Sequence, residues 1–284
     1  MSTLPLLFNR LIDDAALFPP RSATVAEAVT GHAGHRAAWY AAAVGPLLCP
    51  ASRLDELSEQ ATGPLEVSTV VDTGTAGIEP AVRAVLGDPW LDLAGVEVPL
   101  RGDPPAESAR RAAVALDAAL LDVDDPDELG VYLEVPRGTG WRAALEAVAD
   151  SGYRAKLRTG GTTPEAFPPE EEVAAFILAC LELDVPFKFT AGLHRAVRNT
   201  TEDGLEQHGF VNALLAVVDA LGGADEATVA ATLASRDAAE LGDRVRALPQ
   251  DRAAAVRTWL GSYGSCSIDE PIDDLVAMGL VAKP

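Results

Sequence analysis

Only three of the 22 basic residues in this chain are lysines; the other 19 are arginines. Lys283 belongs to the last segment. Lys156 and Lys188 instead sit inside apolar runs, YRAKLR (153–158) and VPFKFTAG (185–192), that read as strands. An unpaired charge buried in a strand costs several kcal/mol, so each ammonium needs a partner or a polar cavity. A lysine in an apolar pocket, or beside a second cation, gives up its proton more easily, and the free amine attacks carbonyl carbon. Two lysines on neighbouring strands supply that arrangement: one attacks, the other lowers its pKa by like-charge repulsion, and a nearby carboxylate moves protons. The ends of the other apolar runs offer Asp13, Asp14, Asp72, Glu97, Glu134, Arg137, Arg158 and Cys266. The alternative to chemistry is a salt-bridged scaffold, with Lys156 paired to Glu134 and Lys188 to Glu97.

The elements that must position these groups alternate short apolar runs with longer Ala-rich helical stretches, the pattern of repeated βα units around a parallel sheet. Strand candidates lie at 11–18, 41–49, 65–71, 93–100, 130–135, 153–158, 185–192 and 259–267. Eight in series predict an α/β fold, a (β/α)8 TIM barrel formed by one domain over 1–284. A doubly wound open sheet is the alternative, and the missing G-x-G-x-x-G fingerprint argues against its commonest version. Gly152 reads as the stop of the helix before the sixth strand. The long insertion between strands seven and eight, residues 193–258, reads as all-helical and is long enough to build a lid or a homodimer surface. In such a barrel, active residues gather at the C-terminal strand ends.

Several of these segments together resemble the deoxyribose-phosphate aldolases and related class I aldolases. AKLRTGG (155–161) is similar to the lysine segment of that family's sixth strand, and VPFKFTAGLH (185–194) to that of its seventh. LIDDAALFPPRSAT (11–24) resembles its first strand and following turn, while LEVSTVV and GVEVPLR fall where its third and fourth strands belong. The resemblance implies that Lys156 forms the Schiff base and that Lys188 perturbs it. It further implies that Glu97 is the acidic relay and Asp13 the acidic residue of strand one. The family grips phosphate with backbone amides after strands seven and eight, which here would involve Gly192, Ser265 and Ser267. Asp269 and Glu270 next to them disfavour a phosphate, and a ligand carboxylate held by Arg158 or Arg137 is an equal candidate.

Thr159-Gly160-Gly161 reads first as a tight turn and second as an anion-binding backbone. His194 directly follows strand seven and is a substrate-binding or acid–base candidate. His194 and His208, with Asp203 or Glu206, lack tight ligand spacing such as HExxH, so no metal site is expected. His32 and His35, on a polar helix, read as solvent-facing. Cys266 reads as a buried thiol without a base. The three cysteines show no CxxC and read as reduced thiols. A formal charge of −21 repels phosphate backbones, which excludes nucleic acid as a partner. No apolar run spans a bilayer and no leader pattern is present, so a cytoplasmic protein without cofactor is expected. Three functions stay open: an aldolase-like lyase, a proton-abstracting isomerase or dehydratase using Lys156 and Glu134, and a non-catalytic barrel. In each the ligand is a small carbonyl or carboxylate metabolite.

Overall fold

Strands buried on both faces must read as short apolar runs, and eight of these pair in parallel into one closed barrel. The computed structural model describes residues 4–284. The barrel strands are β1 (Ile12–Asp14), β2 (Val44–Pro50), β3 (Leu65–Val70), β4 (Leu91–Pro99), β5 (Gly130–Glu134), β6 (Arg154–Arg158), β7 (Phe187–Thr190) and β10 (Leu260–Ser265). Closure runs β1-β10-β7-β6-β5-β4-β3-β2, with β1 bonded to both β2 and β10. The first strand is shorter than its apolar run, because the chain turns away after Asp14.

Side chains alternate between the helical ring and the barrel axis. Phe187 and Phe189 point outward, and Phe187 meets Phe176 of α6 (Glu170–Glu182) edge-on at 5.6 Å between ring centroids. Lys188 between them points to the axis. Likewise Ala155 and Leu157 are buried under helices while Lys156 turns inward. Barrels of this type usually fill their interior with branched apolar side chains. Here the axis carries Asp13, Ser68, Glu97, Tyr132, Glu134, Lys156, Lys188 and Ser262 instead.

Helices α1 (Val25–Ala37), α2 (Leu54–Gln60), α3 (Ile78–Leu86), α4 (Pro105–Ala119), α5 (Trp141–Ser151) and α6 follow strands one to six. Thr24 closes the N-terminus of α1 in a capping box with Glu27. Gly152, at φ +75°, ends α5 and turns the chain into β6, as the sequence predicts.

The insertion between β7 and β10 departs from the all-helical expectation. It opens with a small antiparallel ribbon, β8 (Asn199–Thr200) against β9 (Glu206–Gln207). Four helices follow: α7 (Phe210–Leu221), α8 (Glu226–Ala234), α9 (Ala238–Arg246) and α10 (Gln250–Trp259). Helix α7 is apolar on nearly every side because it is enclosed by α6, α8, α9 and α10. The helical part therefore thickens the outer wall. The ribbon and the loop before it border the barrel mouth. Helix α11 (Asp269–Ala277) closes the fold. Among the described residues, no helix is long and apolar enough to cross a membrane.

Candidate active site

Register brings the two lysines side by side: Lys156 on β6 pairs with Lys188 on β7, and Glu134 on β5 with Lys156. Both ammonium groups converge on one carboxylate. Glu97 Oε2 lies 2.7 Å from Lys156 Nζ, and Glu97 Oε1 lies 2.7 Å from Lys188 Nζ. Lys188 also donates to Asp13 Oδ2, which accepts a second bond from Ser262 Oγ at 2.6 Å. Glu134 Oε2 sits 2.8 Å from Lys156 Nζ, an ion contact set off the best hydrogen-bond direction. Arg158 Nε binds the other oxygen of Glu134 at 3.1 Å. The Lys188 ammonium lies 5.2 Å from the centroid of the Tyr132 ring, within cation–π range. Glu97 is 0% exposed, and Lys156 and Lys188 are 1% exposed each.

These groups set one another's charge, in the sense opposite to the sequence expectation. Burial pushes Glu97 upward, but the two ammonium groups outweigh it and hold the carboxyl down at about 2. Burial disfavours the Lys156 ammonium too, yet Glu134 and Glu97 prevail and keep its pKa above the ordinary lysine value. Lys188 is likewise held above the ordinary lysine value, burial being overcome by Asp13 and Glu97. At Asp13 burial wins and lifts the carboxyl above its usual value, though two donors on Oδ2 fit the carboxylate as the resting form. Lys156 is thus raised on balance and not depressed, its two carboxylates outweighing burial. An anion stands between the two cations, and each lysine rests as ammonium.

A cavity of about 290 Å³ opens above this network at the C-terminal end of the strands. Glu97 and Lys156 line it together with apolar Phe18, Leu48 and Val70. Arg158, Thr190, His194 and Cys266 also border it. Lys188 and Asp13 do not; they lie behind Lys156 and Glu97. An outer cleft of about 800 Å³, bordered by Arg21, Thr201, Ser267 and Glu270, shares His194 and Cys266 with the cavity.

Other sequence candidates fall elsewhere. Arg137 is committed to Glu172, at 2.5 and 3.0 Å, and to the Glu165 carbonyl at 2.6 Å, and it does not reach the cavity. Ser265 Oγ donates to the Ser267 carbonyl at 2.7 Å, and Ser267 Oγ accepts from the Glu270 amide at 3.3 Å. The two serines therefore shape the turn into α11, and only Ser267 reaches the outer cleft. His208 accepts from Arg198 at 3.2 Å through Nδ1 and donates to the Pro168 carbonyl at 2.8 Å through Nε2. Both nitrogens are used, which makes it a structural tie. His32 is buried, not solvent-facing, with Nδ1 3.0 Å from Asp14 Oδ2, and His35 is half-buried against Tyr40. Consecutive aspartates thus serve opposite faces of β1, Asp13 the axis and Asp14 the helix α1. Asp72 bonds Ser52 at the rim. Among the described residues, no group of three or more His, Cys, Asp or Glu side chains is placed to hold a metal ion.

Of the two glycines after β6, Gly161 borders the cavity, and close packing requires both. A Cβ on Gly160 would lie 2.7 Å from Gly192 Cα, and one on Gly161 would lie 2.6 Å from Ala166 Cβ. Thr159 stitches this loop to the next through its amide to the Thr190 carbonyl at 2.8 Å and its hydroxyl to the Ala191 carbonyl at 2.6 Å. Gly192 has φ +76° and would place a Cβ 2.7 Å from the Thr159 carbonyl oxygen. Gly192→Ala is accordingly expected to destabilise the fold by about 1–3 kcal/mol, read as a lower urea midpoint at unchanged slope. An unchanged midpoint would show that the two loops need no such close approach.

The sequence reading missed Ser262, Ser68 and Tyr132. Alternation along β5 from Glu134 could have found Tyr132; Ser68 on β3 and Ser262 on β10 share no strand with Asp13, Glu97 or Glu134 and needed the register of the closed barrel. It also missed the approach of Cys266 to His194, which no spacing encodes.

Fold and site together define a (β/α)8 barrel whose axis holds a buried amine–carboxylate network beneath a small cavity. Compared with known family models, curated proteins and solved structures, the chain matches none of them.

Proposed function

We propose that this barrel is a cytoplasmic, aldolase-like lyase that forms a Schiff base between Lys156 and a small carbonyl compound. The observation that carries the reading is that Lys156, alone of the two internal lysines, borders the cavity, where it lies against Glu97 and Glu134. A protonated iminium occupies the same place and carries the same charge as the ammonium it replaces. Glu97 and Glu134, which hold Lys156 charged, would therefore also stabilise the iminium. Their cost falls on the first step, where Nζ must first pass a proton to a carboxylate or to water. The amine then adds to the carbonyl carbon and the carbinolamine loses water. The bond between the α and β carbons breaks with its electron pair moving into the iminium, while Glu97, the carboxylate that borders the cavity, takes the proton of the β-hydroxyl. Lys188 and Asp13 keep Glu97 ionised and in place from behind. A cavity of about 290 Å³ with apolar walls suits a small ligand.

One observation favours a second reading. Both lysines rest as ammonium, and a fixed ammonium can stabilise an enolate without bonding to carbon, with Glu97 as the base and Glu134 holding Lys156 charged; that would give an isomerase or dehydratase.

Reductive trapping separates the two. The protein is incubated with a panel of small aldehydes and ketones plus cyanoborohydride, then mapped by peptide mass. With three lysines in the chain, background is low. The expected result is a reduced adduct on Lys156, forming faster as pH rises because the free amine is scarce. Adducts confined to Lys283 and the terminal amine would sink the covalent reading. Carbon-bound deuterium exchange without an adduct would select the second reading, and neither would leave a binding protein.

A further inference from the structure

His194 and Cys266 stand at the neck where the inner cavity meets the outer cleft, and both border each space. Cys266 Sγ lies 3.7 Å from His194 Nδ1, inside the range of a thiol–imidazole hydrogen bond. Glu270 Oε2 lies 3.9 Å from the same nitrogen. His194 makes no other side-chain hydrogen bond among the described residues, so Nε2 is free to carry the ring proton while Nδ1 faces the thiol. Cys266 is 8% exposed, whereas Cys49 and Cys180 are fully enclosed and have no imidazole beside them.

We propose that Cys266 and His194 form a second nucleophilic centre, a thiol with its own base, that takes small electrophilic carbonyl compounds at the neck of the cavity. Sγ adds to the carbonyl carbon, the π electrons move to oxygen, and His194 carries the thiol proton to that oxygen. The product is a thiohemiacetal, and nothing leaves. The pair is independent of Lys156 chemistry and goes beyond it. Burial disfavours charge on both partners, raising the thiol and lowering the imidazole, so they rest as a neutral pair in which His194 is a competent base near neutral pH. The charged groups facing the pair are Glu270, Arg21 and, across the cavity, Lys156, Arg158 and Glu97.

Alkylation by iodoacetamide tests this without a substrate. The carbon–sulfur bond forms, iodide leaves, and His194 takes the thiol proton. Rates for all three cysteines are followed by peptide mass between about pH 5 and 9. Cys266 is expected to react well ahead of Cys49 and Cys180. Its rate should be level above neutral pH and fall as pH drops through the imidazole titration. His194→Gln should slow Cys266 by at least about tenfold near neutral pH and replace the plateau with a rate that climbs toward the thiol's own, raised titration. Cys49 and Cys180 staying unreactive in that variant reports that it is folded. Excess acetaldehyde should protect Cys266, and the protection should reverse when the aldehyde is removed even after cyanoborohydride treatment, which fixes an iminium as a secondary amine but leaves a thiohemiacetal reversible. Equal rates for the three cysteines, or the same pH profile with and without His194, would overturn the pair. Absence of protection by acetaldehyde would overturn its carbonyl ligand.

Discussion

Glu97→Gln is expected to cost the folded protein about 3 kcal/mol or more at neutral pH, since removing one partner from a buried ion network leaves charge uncompensated. Glu97 is fully enclosed and, among the described residues, is the one carboxylate shared by both lysines. Glu134→Gln should cost less, because Glu134 is partly exposed and Arg158 beside it reaches solvent. Denaturant titrations of the two variants against the parent would show this ordering, and equal costs would remove Glu97 from the centre of the network. The pH dependence follows from the direction of each shift. Glu97 falls from 4.5 unfolded to about 2 folded, so its contribution is complete above the unfolded value and is lost as pH drops toward 2. The lysines shift upward, so theirs is complete below the unfolded value of 10.5 and is lost as pH rises beyond it. Glu97→Gln should therefore flatten part of the acid limb and also shift the alkaline limb toward neutrality.

Lys156→Met should abolish the trapped adduct and lower turnover of any carbonyl substrate by on the order of 10⁴-fold or more, the scale seen when a covalent nucleophile is removed. Lys188→Met separates the roles of the two amines. Lys188 does not border the cavity, so its loss should leave the Lys156 adduct able to form. It also frees Glu97 to bind Lys156 alone, and the pH at which trapping begins should then move upward. Under the sequence-derived expectation, in which Lys188 repels the proton from Lys156, the same variant would also raise the Lys156 pKa, so direction alone does not separate the mechanisms. Glu97→Gln tests the role given to Glu97 itself: with the anion removed, the lysines should lose protons at lower pH and trapping should begin earlier. Trapping by Glu97→Gln at the parental pH would show that Glu97 does not set the charge of Lys156. An adduct that survives Lys156→Met on Lys188 would reassign the nucleophile.

Strand and helix positions were legible because apolar period and turn residues are local properties: the eight runs became the eight barrel strands, and Gly152 became a helix stop. The insertion was less legible. Asn199–Thr200 and Glu206–Gln207 are too short for any periodicity, and they pair only because the chain reverses between them. His32 was misread because its helix is polar overall, while burial depends on Asp14 lying beneath that one position. Arg137 was misread for a related reason: Glu172 is 35 residues away in sequence and becomes its neighbour only on folding.

The sequence by itself determined that two ammonium groups and several carboxylates would be forced into a barrel interior, since apolar strands with single charged positions allow little else. It also named two pairings that the fold forms, Lys156 with Glu134 and Lys188 with Glu97. Tertiary structure decided the stoichiometry and the exposure: Glu97 serves both lysines, Asp13 reaches Lys188 from β1, one strand beyond β10, and of the two lysines only Lys156 reaches the cavity. Those outcomes depend on closure and stagger of the strands, which set which side chains share a level on the axis. The charge state of an amine follows from that count of neighbours, and no spacing along the chain contains it.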